Sequence, residues 1–118
     1  MLDKITETSL LYDFYGQLLT DRKRQVMELY HEENCSLAEI AEDFGISRAA
    51  VHDSLKSAEK ALYEYEDKLG LVRRFVRTSE AIGNIDDIIA KLTEKYTDND
   101  ELVRELDTIR SIIDSMEE

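Results

Sequence analysis

The 118-residue chain is 42% apolar and 36% charged, and its 27 acidic against 15 basic side chains leave a formal net charge of −12. That length holds one core of ordinary size, or a small core with an arm, but not two full domains. With no proline, no tryptophan and only four glycines, helix is favoured and sheet is hard to place, so an all-α protein is expected. No apolar run reaches the roughly 18 residues of a membrane span. The start MLDKITETSL lacks the basic-then-apolar order of a secretion signal. A cytoplasmic chain without membrane insertion is expected, and the single Cys35 agrees with a reducing compartment.

The first helix is predicted from about Ile5 to Leu19, with Leu11, Tyr12, Phe14, Tyr15 and Leu18 at its apolar positions. A second, capped by Thr20, runs from Asp21 to about Glu32 with Val26, Leu29 and Tyr30 inward. Ser36 and Glu39 form a capping box, so a third helix starts at Leu37. Its apolar face is Ile40, Ala41 and Phe44, and Gly45 follows where a chain leaving a helix often needs positive φ. Ser47 caps the next helix, whose stripe Val51, Leu55, Ala58, Leu62 repeats at spacings of four and three. Two helices joined by so short a turn make a helix-turn-helix, with the small Ala41 where they cross most closely.

The stripe continues through Tyr65, Leu69, Val72 and Val76 as a heptad seam, predicting one helix from Arg48 to Thr78. At 1.5 Å per residue it would be roughly 45 Å long, with Gly70 inside it costing about 1 kcal/mol. Such a seam needs a partner, either the C-terminal helices of the same chain or a second copy. Gly83 and the TDND at 97–100 read as breaks. Asn84 then caps a helix carrying Ile85, Ile88, Ile89 and Leu92, and Asp98 with Glu101 starts a last one carrying Leu102, Leu106, Ile109, Ile113 and Met116. The expected organisation is a helix-turn-helix domain over residues 1–62 and an acidic helical extension over 63–118. That extension packs on the domain or on a second protomer.

Function is sought first on the outward face of the second motif helix, where Arg48, Ala49, His52, Asp53 and Lys56 would meet nucleic acid, and at Arg22, Lys23 and Arg24, which would meet phosphates. Ala49 can touch a thymine methyl, His52 can donate or accept, and Asp53 suits only a cytosine amino group. Charge speaks the other way. Residues 20–62 hold six basic and nine acidic side chains, and 63–118 hold eight and fifteen, so neither block has the basic balance of a nucleic-acid footprint. Two readings stay open: a DNA-binding regulator, or an adaptor that docks protein through the same helices.

Elsewhere, Arg73, Arg74 and Arg77 could grip phosphates or form a solvated face beside Asp67 and Glu80. Asp98 to Glu101 lacks the spacing of a calcium loop and reads as a capping cluster. Tyr12, Phe14 and Tyr15 read as core before they read as a base-stacking platform. Cys35 has no catalytic constellation around it, and His31 and His52 make no zinc spacing. With no phosphate loop or nucleophile motif either, no catalytic residue, metal or cofactor is expected, and the chain is not expected to be an enzyme.

LLTDRKRQVMELYHEENCSLAEIAEDFGISRAAVHDSLKSAEKAL resembles region 4 of bacterial sigma factors, a four-helix promoter-reading module. Together with the preceding YDFYGQLLTDRK it is similar to the YlxM-like small proteins of Gram-positive bacteria, a helix-turn-helix family associated with the signal recognition particle. The resemblance covers about Leu11 to Lys60 well and the acidic tail loosely. It implies a sigma-region-4-like bundle with a long recognition helix, and a regulatory or accessory role tied to membrane-protein targeting. DNA and a component or receptor of the targeting particle are the partners it suggests, while a second copy of the chain is suggested by the heptad seam alone. By position, sigma region 4 would carry base-reading roles onto Arg48, Ala49, His52, Asp53 and Lys56, although small or acidic side chains stand at 49, 50 and 53.

Overall fold

The computed structural model describes residues 2–116, and all regular structure among them is helical. The elements are α1 (Lys4–Tyr15), a 3₁₀ turn (Gly16–Leu18), α2 (Asp21–Met27), a π turn (Glu28–Glu32), α3 (Leu37–Phe44), α4 (Arg48–Leu69), α5 (Leu71–Lys95) and α6 (Asp100–Met116). They fall into two compact units, one ending at Val72 and the other beginning at Arg73. Among the described residues, no helix is long and apolar enough to cross a membrane.

The first unit is built around side chains that the helical period puts on inward faces. Leu11, Tyr15, Val26, Met27, Ile40, Val51 and Leu62 are all at most 1% exposed, and Leu55 and Ala58 complete the stripe of α4. Phe14, Leu18 and Tyr30, expected inward, are substantially exposed; Leu18 lies beyond the end of α1 at Tyr15 and Tyr30 lies in the π turn, so neither keeps the period of the helix expected for it. The helix expected up to Leu19 therefore stops short. Thr20 stands at the N-cap of α2, but its side chain makes no capping bond.

The helix-turn-helix forms where the local signals put it. Glu39 N–H donates to Ser36 Oγ and Ser36 N–H to Glu39 Oε1, each at 3.1 Å, so the capping box is closed. Gly45 takes φ 64°, and Ile46 N–H donates to the Ala41 carbonyl at 3.0 Å, which ends α3. Ala50 N–H donates to Ser47 Oγ at 3.0 Å and starts α4. A Cβ on Gly45 would meet no atom within 4 Å, so the cost of adding one lies in the left-handed backbone. Gly45→Ala is expected to lower stability by about 1 kcal/mol. At Gly83, inside α5, a Cβ also meets open space, and Gly83→Ala is expected to raise stability by about 0.5–1 kcal/mol. Opposite shifts in the denaturant midpoint would confirm both.

Two expected boundaries are corrected. The single helix from Arg48 to Thr78 is broken at Gly70, which takes φ 63°; α4 ends at Leu69 and α5 starts at Leu71. The restart is held by one distant group, on Tyr15, and one nearby, on Glu66. Leu71 N–H donates to Tyr15 Oη at 3.0 Å, Val72 N–H donates to Glu66 Oε1 at 3.0 Å, and Tyr15 O–H donates to the same carboxylate oxygen at 2.7 Å. The first orphan amides of α5 are thus satisfied by α1 and α4. Leu69, expected in the seam, is 56% exposed. Conversely, Gly83 and Asn84 do not break or cap anything, because α5 passes straight through them. Its 25-residue hydrogen-bond ladder, with apolar side chains on both sides of the glycine, outweighs a propensity cost of about 1 kcal/mol.

In the second unit, α5 and α6 are joined by a short turn around residues 96–99. Leu102 N–H donates to Asn99 Oδ1 at 3.1 Å, so Asn99, and not Asp98, caps α6. The core here is small: Ile89, Leu106 and Ile113, with Ile82, Leu92 and Leu102 packed against them.

Candidate nucleic-acid interface

The capped start of α4 brings four of the expected residues together. Arg48, Ala49, His52 and Asp53 line one shallow hollow with Leu37, the first residue of α3. All four are exposed, with Ala49, His52 and Asp53 turned away from the buried Val51 and Leu55 and Arg48 at the edge of that side. Leu37 was missed in the sequence because it reads as an ordinary apolar residue after a cap. Only the folded turn shows it beside α4.

The electrostatics of this face are mixed. The Asp53 side chain is 86% exposed, and His52 Nδ1 lies 3.8 Å from Asp53 Oδ1. Lys56, one turn further along, has its Nζ 3.9 Å from Glu59 Oε2, and Glu59 Oε1 is 3.6 Å from His31 Nε2. Glu59 therefore offsets part of the Lys56 charge. Should this face meet DNA, Glu59→Gln is expected to strengthen binding about two- to threefold, read by fluorescence anisotropy on a labelled duplex.

The basic start of α2 is placed differently. Arg22 lies over the Phe44 ring with its guanidinium carbon 4.5 Å from the centroid, and Arg24 Nη2 pairs with Asp21 Oδ1 at 2.9 Å. Arg22 thus ties α2 to α3 by a cation–π contact. Lys23 is partly buried. These three side chains are not part of the hollow at α4.

Among the described residues, no group of three His, Cys, Asp or Glu side chains is arranged to hold a metal ion. Burial, and then the carboxylates of Glu39, Glu33 and Asp43, push the Cys35 thiol above its ordinary value, which disfavours the reactive thiolate.

A capped helix pair around a left-handed glycine, with one face of the N-terminal half of its second helix turned to solvent, defines a helix-turn-helix protein. The chain belongs to the family described as "Putative helix-turn-helix protein, YlxM / p13 like" (UPF0122), whose model matches residues 2–109. It is 41% identical over 109 residues to UPF0122 protein GK1195 of Geobacillus kaustophilus, covering 92% of this chain and 99% of that protein. It is 38% identical over 112 residues to UPF0122 protein BH2485 of Halalkalibacterium halodurans, covering 95% and 99%. A UPF0122 protein of Desulforamulus reducens is 51% identical over 74 residues, 63% of each chain.

Proposed function

We propose that the protein is a DNA-binding regulator that inserts the N-terminal half of α4 into the major groove. The reading rests on one observation: Arg48, Ala49, His52 and Asp53 share an exposed hollow directly after the turn that ends α3. The major groove is about 12 Å wide and admits one helix. There Arg48 would fork onto a guanine, Ala49 would touch a thymine methyl, and Asp53 would accept from a cytosine amino group while rejecting other bases. Lys56, with Arg22, Lys23 and Arg24, would supply phosphate contacts.

With a net charge of −12, non-specific attraction is weak, and sequence choice has to come from these few side chains. A salt titration of duplex binding tests the reading. Log affinity is expected to fall linearly with log salt, with a slope of about −2 to −4, and absence of binding at low salt rejects it.

The exposed Asp53 favours a second reading, in which the same face docks a protein, such as a component or receptor of the targeting particle that the family resemblance suggests. Asp53→Lys separates the two. It should change which duplex sequence is preferred while keeping duplex binding if the face reads DNA, and abolish capture of a protein partner if the face is the dock.

A further inference from the structure

We propose that the cavity walled by α1, the π turn and α4 binds a purine nucleoside monophosphate, with its phosphate on Lys4 and Lys56, its ribose hydroxyls on Glu59 and its base on the Tyr30 ring. None of the residues that line this cavity lines the hollow at the start of α4, and the proposal does not depend on the duplex reading.

The cavity measures about 550 Å³, within the range of small-ligand sites. Part of its wall is irregular backbone. After Met27 the chain widens into the π turn Glu28–Glu32, and Asn34 follows at φ 56°, the one non-glycine residue with positive φ among the described residues. Both features are rare, cost stability and recur where a fold shapes a functional site. Here they bring Tyr30, His31 and Asn34 to one cavity with Lys4 of α1 and with Lys56 and Glu59 of α4. The polar groups around it are close but not joined. Among the described residues, His31 Nε2 is enclosed and has no hydrogen-bond partner; Glu59 Oε1 is 3.6 Å from it, and Lys56 Nζ is 3.9 Å from Glu59 Oε2. Both gaps exceed a hydrogen bond, and an enclosed nitrogen left without one is rare in a folded chain. A phosphate that takes up Lys56 releases Glu59 Oε2 to the ribose hydroxyls and lets Oε1 close on His31.

Charge and ring chemistry name the ligand. On a chain of net charge −12, two lysines against one carboxylate give this cavity a positive lining, which selects an anion. Lysine binds phosphate as a point charge, and α1 and α4 supply one lysine each. A carboxylate beside them suits ribose hydroxyls, the role an acidic side chain plays in dinucleotide-binding folds. Tyr30 is 40% exposed, and its ring stands at 86° to the His31 ring with 5.1 Å between centroids. That contact steadies the Tyr30 ring and leaves at least one of its faces for stacking a base, on which a purine offers the wider surface. Inorganic phosphate would leave Tyr30 and Glu59 unused, and an aliphatic carboxylate would set Glu59 against hydrocarbon.

Isothermal titration calorimetry of the full chain with adenosine and guanosine 5′-monophosphate tests the proposal, with circular dichroism showing that each variant keeps its helix content. At least one of the two is expected to bind with a dissociation constant of about 10–200 µM. The matching nucleoside and inorganic phosphate are each expected to bind at least about tenfold more weakly. Lys4→Gln is expected to weaken nucleotide binding about tenfold. The 2′,3′-dideoxy form of the nucleotide is expected to bind about tenfold more weakly to the wild type, and about as well as the parent nucleotide to Glu59→Ala. Dissociation constants above about 1 mM for both nucleotides overturn the proposal. So does nucleoside or inorganic phosphate that binds as tightly as the nucleotide, or nucleotide binding indifferent to Lys4→Gln, or a dideoxy penalty that Glu59→Ala leaves in place. These titrations contain no duplex, so their outcome is read whether or not the chain binds DNA.

Discussion

Glu66→Ala is expected to destabilise the protein by about 3 kcal/mol, more than any other surface-reaching substitution in α4. The carboxylate oxygen Oε1 accepts from both Tyr15 O–H and Val72 N–H, and both donors belong to residues that are at most 5% exposed. Truncation leaves two enclosed donors without that acceptor, at about 1–3 kcal/mol each. Tyr15→Phe is expected to cost about 1–2 kcal/mol, since it also removes the acceptor for Leu71 N–H. A double-mutant cycle by urea unfolding should give a coupling of about 1 kcal/mol or more. Additive losses would show that the two side chains do not act together at the α4–α5 junction.

The same contacts set a pH dependence. Burial first, and then the bond to Glu66, push the Tyr15 phenol above its ordinary value of 10.0. Burial likewise raises Tyr12 and Tyr63. The folded chain holds these protons more tightly than the unfolded chain does. The associated stability is therefore complete below the unfolded value and is lost as pH rises above it. Alkaline unfolding beginning above pH 10, with tyrosinate absorbance rising together with loss of helix, is the expected signature. Tyr15→Phe should flatten that decline.

The second large effect concerns α4. Arg48→Ala is expected to weaken specific duplex binding about 10- to 100-fold, with sequence preference relaxed at one position. Lys56→Ala is expected to weaken binding to all sequences alike and to reduce the magnitude of the salt slope by about 1. The contrast matters because Arg48 lines the hollow with Ala49, His52 and Asp53, whereas Lys56 lies a turn further along beside Glu59. Equal, sequence-independent losses from both variants would reduce α4 to a phosphate contact.

Much of this was legible in the chain because its signals are local. Ser36, Glu39, Gly45 and Ser47 act within a turn of themselves, so both helices and the bend between them could be placed from spacing alone. The exposed positions at the start of α4 follow directly from the cap at Ser47, but the hollow they form with Leu37 does not. What was missed depends on contacts distant in sequence. Gly70 reads as a blemish inside a heptad seam because one of the groups that receive the new helix there, Tyr15, lies 56 residues from Leu71, although Glu66 stands only six before Val72. Gly83 and Asn84 carried the composition of a break, but no tertiary contact needs one there, and the helix continues.

The π turn after Met27 had no sequence signature. Its wide Glu33 N–H to Glu28 carbonyl bond, at 3.2 Å, leads into Asn34 at φ 56°, and the local pattern reads as ordinary helix up to that point. The contact between Arg22 and the Phe44 ring, 22 residues away in the chain, likewise had no local signature.

The most direct test is an amide chemical-shift titration of the isotope-labelled protein with a short duplex at low salt. The outward presentation of α4 predicts that the largest shifts fall on Arg48, Ala49, His52, Asp53 and Lys56, with Val51 and Leu55 little changed. Shifts confined to α5 and α6, or none along α4 at saturating duplex, would contradict it.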